Sequence, residues 1–235
     1  MKQISCVAII PARAGSKRIP KKNIKDFFGK PLIAYTIETA IESKLFDRII
    51  VSTEDETISE IAKKYGAEVP FVRPLEFCDD YIGTGPIINH ALSYLKSQGE
   101  NYDFVCSIYA TAPLLQIKYL KEGFEKLQNS DAVNSFSATS MPFPIQRTFK
   151  IKDDRCEMFW PENFSKRSQD LEEAYQDAGQ FYWKNLHKQS SDVMFGKDSI
   201  PIVLPRYLVQ DIDTLEDWER AEVLYEVLKR QKKIL

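Results

Sequence analysis

A cluster of basic and small residues near the start of the chain has the composition of an anion-binding loop. Six Lys and Arg side chains fall between positions 13 and 25, and Ala14, Gly15 and Ser16 stand among them. Small residues let backbone N–H groups approach an anion, and the cations supply opposing charge. A solvated basic face is the alternative. Because the whole chain carries a net charge of only −2, we predict a polyphosphate site.

The position of this loop strengthens that prediction. It follows an apolar run at 6–10 that indicates a buried strand. In α/β sheets, ligands bind where the strands end. The loop lacks Gly-x-Gly-x-x-Gly, which disfavours a dinucleotide redox enzyme, and it lacks Gly-x-x-x-x-Gly-Lys-Ser/Thr, which excludes a P-loop.

An acidic pair, Asp211 and Asp213, stands near the other end of the chain, just before a predicted helix. Two carboxylates at i and i+2 can offer oxygen ligands to one hard cation. Mg²⁺ that carries a nucleoside triphosphate usually takes only one or two protein carboxylates. The alternative is that Asp213 or Thr214 caps the helix.

Strand and helix patterns alternate through the first 137 residues and predict an α/β fold. The predicted strands cover 4–10, 48–52, 68–71, 104–108 and 132–137. The predicted helices cover 32–43, 54–65 with Thr53 as its N-cap, a stretch around 87–95, and 117–128. This order implies a mostly parallel sheet with helices on both faces, in a single domain that spans 1–235.

Residues 138–175, which we call the excursion, interrupt this rhythm with prolines and short apolar pieces. We expect an inserted hairpin there. Its exposed aromatic residues Phe143, Phe149, Phe159 and Trp160 would be costly on a monomer, so we expect a homodimer contact. An ordinary loop packed on its own domain is the alternative. The main fold resumes at 179–183 and 201–204, before a final helix around Trp218.

Composition limits the classes of partner. The near-neutral charge and a pI of 5.9 argue against nucleic acid. No apolar run approaches the roughly 18 residues that a membrane span needs. The four cysteines are widely spaced, without a Cys-x-x-Cys pair, which fits the reduced cytoplasm and not a disulfide framework. We therefore expect a cytoplasmic enzyme that acts on small molecules.

The first loop resembles that of sugar nucleotidyltransferases, specifically the CMP-sugar synthetases that activate nonulosonic acids. The matching segments are Ala12-Arg13-x-x-Ser16-Lys17, Lys22-Asn23 and Gly29-Lys30-Pro31-Leu32-Ile33. The order of a basic loop near the start and Asp-x-Asp near the end also fits that family. The resemblance covers essentially the whole chain and implies a Rossmann-like nucleotidyltransferase with CTP and a nonulosonic acid as substrates. Position 14 is Ala where Gly is common in relatives.

The resemblance also implies roles for individual residues. Arg13, Lys17, Asp211 and Asp213 would be catalytic, and the two aspartates would hold Mg²⁺. The implied nucleotide ligands are Ala12, Arg13, Ser16, Lys17, Lys22, Asn23, Arg73, Thr84 and Thr111. For Arg73, which precedes Pro74, a surface turn is the alternative.

Two segments resemble the pseudaminic acid branch of this family. Tyr109-Ala110-Thr111-Ala112-Pro113 and Gln176-Asp177-Ala178-Gly179 depart from the Gln-Pro-Thr-Ser-Pro and Arg-Pro-Asn-Gly common in sialic acid enzymes. The implied sugar ligands are Tyr109, Arg167, Gln169, Asp177 and Gln180, with Arg167 on the sugar carboxylate. A solvated polar loop is the alternative for these residues. Sialic, legionaminic or deoxyoctulosonic acid as the sugar, and a non-catalytic nucleotide-binding module, are the other functional hypotheses. The product would serve surface glycan or flagellar glycosylation.

Overall fold

The structure is a computed structural model that describes residues 4–79, 82–189 and 193–234. Its strands are β1 Cys6–Pro11, β2 Asp26–Phe27, β3 Lys30–Pro31, β4 Arg48–Ser52, β5 Phe104–Ile108, β6 Asn134–Ser140, β7 Phe149–Lys152, β8 Arg155–Met158, β9 Tyr175–Asn185 and β10 Ser199–Leu204. Its helices are α1 Leu32–Ser43, α2 Glu56–Lys64, α3 Thr84–Ser97, α4 Ile117–Gln128 and α5 Leu215–Arg230.

Six strands form one sheet in the order β10-β6-β9-β5-β1-β4. β1 pairs in parallel with β4 and β5, and β6 pairs in parallel with β10. The long strand β9 runs antiparallel between β5 and β6. The predicted mostly parallel α/β architecture is therefore confirmed, with one antiparallel strand near its middle.

Alternate residues of β1 face opposite sides of the sheet, as a strand requires. Ala8 and Ile10 pack in the same apolar cluster as residues of α1, α2 and α4. Val7 and Ile9 belong to a second cluster, which includes Ile88 of α3. Helices therefore cover both faces, as expected. Among the described residues, no helix has the length and hydropathy that a membrane crossing needs.

Three sequence predictions about local structure were wrong. Helix α2 begins at Glu56 and is capped by Asp55, whose carboxylate accepts the Ile58 N–H. Thr53 instead accepts the Asp55 N–H at 3.1 Å. The predicted strand at 68–71 is reduced to a single bridge between Ile50 and Glu68. The strand predicted at 132–137 begins and ends later, as β6.

The excursion contains the expected hairpin. β7 and β8 pair antiparallel through a two-residue turn, where Asp153 and Asp154 have φ of 50° and 58°. Positive φ at both central positions is the turn geometry that suits a right-handed twisted hairpin, and Asp tolerates it. Phe149 and Ile151 on β7 are exposed. The structure thus places an apolar hairpin surface outside the core.

Candidate active site

The two ends of the chain meet at one place. The carboxylate of Asp213 lies 2.8 Å from the Arg18 guanidinium and 3.2 Å from the Lys22 ammonium. Lys22 also donates to the backbone carbonyl of Ile212. The basic loop at 13–25 and Asp213, which the sequence separates by nearly its whole length, therefore meet at one site.

An apolar cluster explains why these ends come together. Ile19 and Phe27, from the basic loop and β2, are buried with Ile212 and with Trp218 of α5. The rings of Phe27 and Trp218 meet edge to face, with centroids 5.5 Å apart. The Lys25 ammonium lies 4.1 Å from the Trp218 ring centroid, close enough for a cation–π contact. Burial of these side chains fixes the polar residues between them.

The capping of α5 leaves Asp213 available. Thr214 is the N-cap, and it forms a reciprocal capping box with Asp217. The Thr214 hydroxyl accepts the Asp217 N–H at 3.2 Å, and the Asp217 carboxylate accepts the Thr214 N–H at 2.8 Å. Of the two residues considered as caps, Thr214 takes that role. The Asp213 carboxylate faces the basic loop instead.

A cavity of about 560 Å³ opens between the basic loop, the end of β5 and the start of α3. Ten residues that the sequence singled out line it: Arg13, Ser16, Lys17, Lys22, Asn23, Arg73, Thr84, Tyr109, Thr111 and Asp213. Cations thus line this cavity near the ends of β1 and β5, where the fold predicts ligand contacts.

Backbone contacts fix the basic loop against the sheet. The Ala12 N–H donates to the Ser52 carbonyl at 3.0 Å, which continues the β1–β4 ladder. The Asn23 side-chain amide donates to the Arg13 carbonyl at 2.9 Å. Ala12 itself is buried and is not among the residues that line the cavity, although Arg13 is. Ala12 and Asn23 therefore hold the shape of the loop that presents Arg13 and Lys17.

Arg73 is buried, so the alternative of a surface turn is wrong. Only 2% of the residue is exposed, and its Nη2 donates to the Ser52 carbonyl at 2.6 Å. Burial lowers the pKa of Arg73 from its usual value, while the Glu54 carboxylate opposes that change. A buried cation at the edge of a cavity is rare unless it has an anionic partner or ligand.

Asp211 is not among the residues that line the first cavity, and lies two positions before Asp213, which is. Gly179, at φ +63°, comes so close that a Cβ on it would lie 3.7 Å from the Asp211 carboxyl carbon. Burial of the carboxyl, followed by the charge of Asp213, raises the pKa of Asp211 above its usual value, and Lys22 opposes this. The residue as a whole still reaches solvent. The charge of one carboxylate thus disfavours ionisation of its neighbour.

A second cavity, of about 490 Å³, adjoins the first and shares Thr84 and Tyr109 with it. Asp177, Tyr182 and Lys184 of β9 also line it. The Tyr182 hydroxyl donates to Asp177 at 2.6 Å, and its ring lies 5.1 Å from that of Tyr109. Ile88, Val105, Met194 and Phe195 line it as well. Charged and hydroxyl groups therefore converge in a cavity with a largely apolar wall, as is usual for small-molecule sites.

Three expected sugar ligands lie elsewhere. Gln180 is buried, and its side-chain amide donates to the Leu208 carbonyl at 2.6 Å, so it acts as a structural residue here. Arg167 is exposed and pairs with Asp170 at 2.7 Å. Gln169, also exposed, belongs to the same short 3₁₀ turn. Within this one chain, none of the three reaches either cavity.

Sequence reasoning missed three polar residues near the cavities. Arg18 was one of the six basic side chains but received no role, and Glu54 and Lys184 were not considered. Glu54 stands just after β4, where the strand-end rule would have found it. Lys184 lies two positions after Tyr182, so strand alternation puts both on one face. Arg18 carried no signal that separates it from Lys21.

The sheet order, the strand-end cavity and the cation-lined loop define an α/β nucleotidyltransferase. A cytidylyltransferase family model matches residues 7–200. A pseudaminic acid cytidylyltransferase of Campylobacter jejuni is 48% identical over 94% of this chain and 96% of its own length. The chain belongs to the cytidylyltransferase family.

Two further similarities agree with this assignment. A CMP-N,N'-diacetyllegionaminic acid synthase of Legionella pneumophila is 31% identical over 94% of this chain and 96% of its own length. The solved structure of a CMP:2-keto-3-deoxy-manno-octonic acid synthetase complexed with CTP matches with a TM-score of 0.66. It is 13% identical and covers 94% of this chain and 98% of its own, so it supports the fold alone.

Proposed function

We propose that this enzyme transfers the cytidylyl group of CTP to a nonulosonic acid, and that pseudaminic acid is its preferred sugar. The convergence of the basic loop with Asp213 on one cavity carries the proposal, because cations and carboxylates together suit a metal-bound triphosphate. The 48% identity to a pseudaminic acid cytidylyltransferase supports the choice of sugar.

The proposed reaction is an in-line displacement. The anomeric hydroxyl of the sugar attacks the α-phosphorus, the bond to pyrophosphate breaks, and the hydroxyl proton passes to solvent. Arg13, Ser16, Lys17 and Lys22 bind the triphosphate, and Arg13 and Lys17 orient the pyrophosphate as its charge grows. Fixed cations lower the barrier because they are already aligned with the developing charge.

We propose that the other end of the nucleotide contacts Arg73, Thr84 and Thr111. All three line the same cavity as the basic loop. Arg73 offers a fixed, buried guanidinium, which suits hydrogen bonds to the base or ribose. The Asn23 amide is already bonded to the Arg13 carbonyl, so its contribution would be to shape the loop.

Asp211 and Asp213 form a donor set that fits Mg²⁺. Both are hard oxygen ligands, and a dication would offset the burial and the negative charge of Asp213 that raise the pKa of Asp211. When bound, Mg²⁺ would offset charge on the phosphate oxygens and favour ionisation of the attacking hydroxyl. Asp213 would then exchange its contacts with Arg18 and Lys22 for metal, and those cations would turn to phosphate.

The second cavity is the proposed sugar site. It adjoins the first through Thr84 and Tyr109, as a site for the attacking substrate must. Ser107 contributes a buried hydroxyl that has no hydrogen-bond partner within the described part of the chain. Lys184 contributes a cation for the sugar carboxylate, the role first expected of Arg167. Asp177 and Tyr109 supply further groups for hydroxyls and acylamido groups.

We further propose that the enzyme is a homodimer in the cytoplasm, joined through the excursion. Phe149, Ile151 and Phe164 are exposed there, and a concentration of exposed apolar side chains in one segment favours an interface. Arg167 and Gln169 lie on the same segment. A partner subunit would be needed to bring them to a sugar site.

Pyrophosphate release with a panel of sugars tests the proposal. The panel holds pseudaminic, legionaminic, sialic and deoxyoctulosonic acids with CTP, and UTP replaces CTP as the nucleotide control. We expect the highest kcat/KM with pseudaminic acid and CTP. Equal or better turnover of sialic acid would contradict the choice of sugar. No pyrophosphate with any sugar would favour a non-catalytic nucleotide-binding module.

A further inference from the structure

Glu54 is a largely buried carboxylate that contacts both the basic loop and Arg73. It stands between β4 and α2, and its side chain is only 15% exposed. Its neighbour Asp55 caps α2, so Glu54 itself is free of that task. A negative charge beside a polyphosphate site repels the bound anion. The contacts of Glu54 indicate a structural role that offsets this cost.

One carboxylate oxygen of Glu54 holds the basic loop. Its Oε1 accepts the Ala14 N–H at 2.7 Å. The Ala14 carbonyl in turn accepts the Ser16 N–H at 2.8 Å. A charge-assisted bond of this length is stronger than an ordinary backbone bond. Glu54 therefore fixes the turn from which Ser16 and Lys17 reach the cavity.

The other oxygen faces the buried arginine. Glu54 Oε2 lies 3.5 Å from Arg73 Nη2, at ion-pair distance but beyond a good hydrogen bond. Both Glu54 Oε2 and Arg73 Nε are buried, and neither has a hydrogen-bond partner among the described residues. Such atoms are costly in a protein interior. Because these two atoms belong to the two partners of one ion pair, the contact between Glu54 and Arg73 is incomplete in this structure.

The charges of the region explain why a carboxylate is needed. Burial and the nearby Arg13 cation both lower the pKa of Arg73, and Glu54 raises it. Without Glu54, two guanidinium groups would lie close together and one of them would be buried without a counter-ion. Removal of one partner from a buried ion pair leaves the other charge uncompensated.

We propose that Glu54 is a positioning residue that links the basic loop to Arg73 and so aligns the two ends of the bound nucleotide. This inference rests on the proposed function, because it assumes that phosphates bind the loop and that the base or ribose meets Arg73. Glu54 itself would touch neither the substrate nor the reacting atoms.

Two ligand fragments distinguish the contact of Glu54 with the basic loop from its contact with Arg73. Calorimetry with pyrophosphate measures binding at the loop, and calorimetry with CMP measures binding near Arg73. Glu54→Gln keeps an oxygen for Ala14 but removes the charge beside Arg73. We expect its Kd for pyrophosphate to change by less than about twofold and its Kd for CMP to rise about tenfold. Glu54→Ala should weaken both. Glu60→Gln, on the exposed face of α2, is the matched control and should change neither.

A double-mutant cycle tests whether the effect passes through Arg73. In an Arg73→Gln background, Glu54→Gln should add less than about twofold to the loss of CMP affinity, because its target is gone. Additive losses, or an equal loss of pyrophosphate and CMP binding in Glu54→Gln, would overturn the proposal. Thermal melts establish that each variant is folded.

A second variant tests the proposal if Glu54→Gln does not fold. If Glu54→Gln does not melt cooperatively, Glu54→Asp keeps the charge and should retain CMP affinity within about threefold. A loss as large as that of Arg73→Gln would refute the role of the charge. If the unaltered chain binds neither fragment, the proposed function fails and this inference with it. Binding by the unaltered chain with no effect in Glu54→Gln defeats this inference alone.

Discussion

The site at the C-terminal ends of β1 and β5, which we call the sheet edge, and the excursion present their polar residues in different ways. At the sheet edge, Lys22 and Asp213 are held by a buried apolar cluster beneath them and already touch each other. On the excursion, Arg167 reaches only its neighbour Asp170, and the apolar side chains around it are exposed. The sheet-edge residues are thus positioned by the chain's own core. Those of the excursion would need a second surface to position them.

The largest expected effect comes from the acidic pair. Asp211→Asn removes one of the proposed Mg²⁺ ligands while it keeps the shape of the side chain. We expect kcat to fall about 10²- to 10³-fold in a pyrophosphate-release assay at saturating Mg²⁺, because the stabilisation of developing charge is lost. Asp131→Asn, an exposed aspartate distant in sequence, is the control. Unchanged turnover in Asp211→Asn would show that Asp211 is not part of the sheet-edge site.

Lys22→Met tests the basic half of the same site. The substitution keeps the length of the side chain and removes its charge, so the contacts with Ile212 and Asp213 are lost. We expect kcat/KM for CTP to fall about 10- to 100-fold, as for the loss of one charged contact to phosphate. Lys21→Met is the matched neighbour, since Lys21 does not line the cavity. A similar loss in both variants would show that the total positive charge of the loop, and not the position of Lys22, determines the effect.

Paired substitution of Phe149 and Ile151 by Ser tests the excursion. Both side chains lie on β7 with their surfaces exposed. We expect sedimentation velocity to show a dimer for the unaltered protein and a monomer for the variant, because the interface loses apolar area. Val223→Ser, at an exposed position on α5, should leave the dimer intact. A variant that stays dimeric would place the interface elsewhere.

The smallest expected effect is on stability and its pH dependence. The pKa of Asp211 is raised in the folded chain, so its ionised form favours the unfolded state. That penalty is absent below the usual pKa of 3.8 and develops as pH rises through the raised folded value. Asp211→Asn should therefore melt at a higher temperature than the unaltered chain at pH 7. The advantage should shrink as the pH falls toward 4. A lower melting temperature at pH 7 would contradict this sign.

The sequence predicted those parts of the site that follow from local pattern. The apolar run before Arg13 and the strand-end rule located the basic loop, and the helix after Asp213 located the acidic pair. Thr53 was wrongly chosen as a cap because Asp55, two positions later, is an equally good capping residue. The strand at 68–71 was wrong because only Glu68 finds a backbone partner.

Other features depended on contacts between distant residues. Gln180 was predicted as a sugar ligand because its segment resembles the pseudaminic acid branch, yet its amide donates to the Leu208 carbonyl, 28 positions away. Glu54 looked like part of a helix start, and only the fold brings Ala14 and Arg73 to it. Lys184 had no motif around it. Such roles are set by packing across the sheet, which local pattern does not encode.

Direct detection of the product tests the central claim. The chain is incubated with CTP, Mg²⁺ and pseudaminic acid, and the mixture is analysed by mass spectrometry and by phosphorus NMR. We predict a CMP-linked sugar and pyrophosphate in equal amounts, and neither from the Asp211→Asn protein at matched concentration and time. CTP left intact, or cleaved without a CMP-linked sugar, would contradict the account of one site shared by the basic loop and the acidic pair.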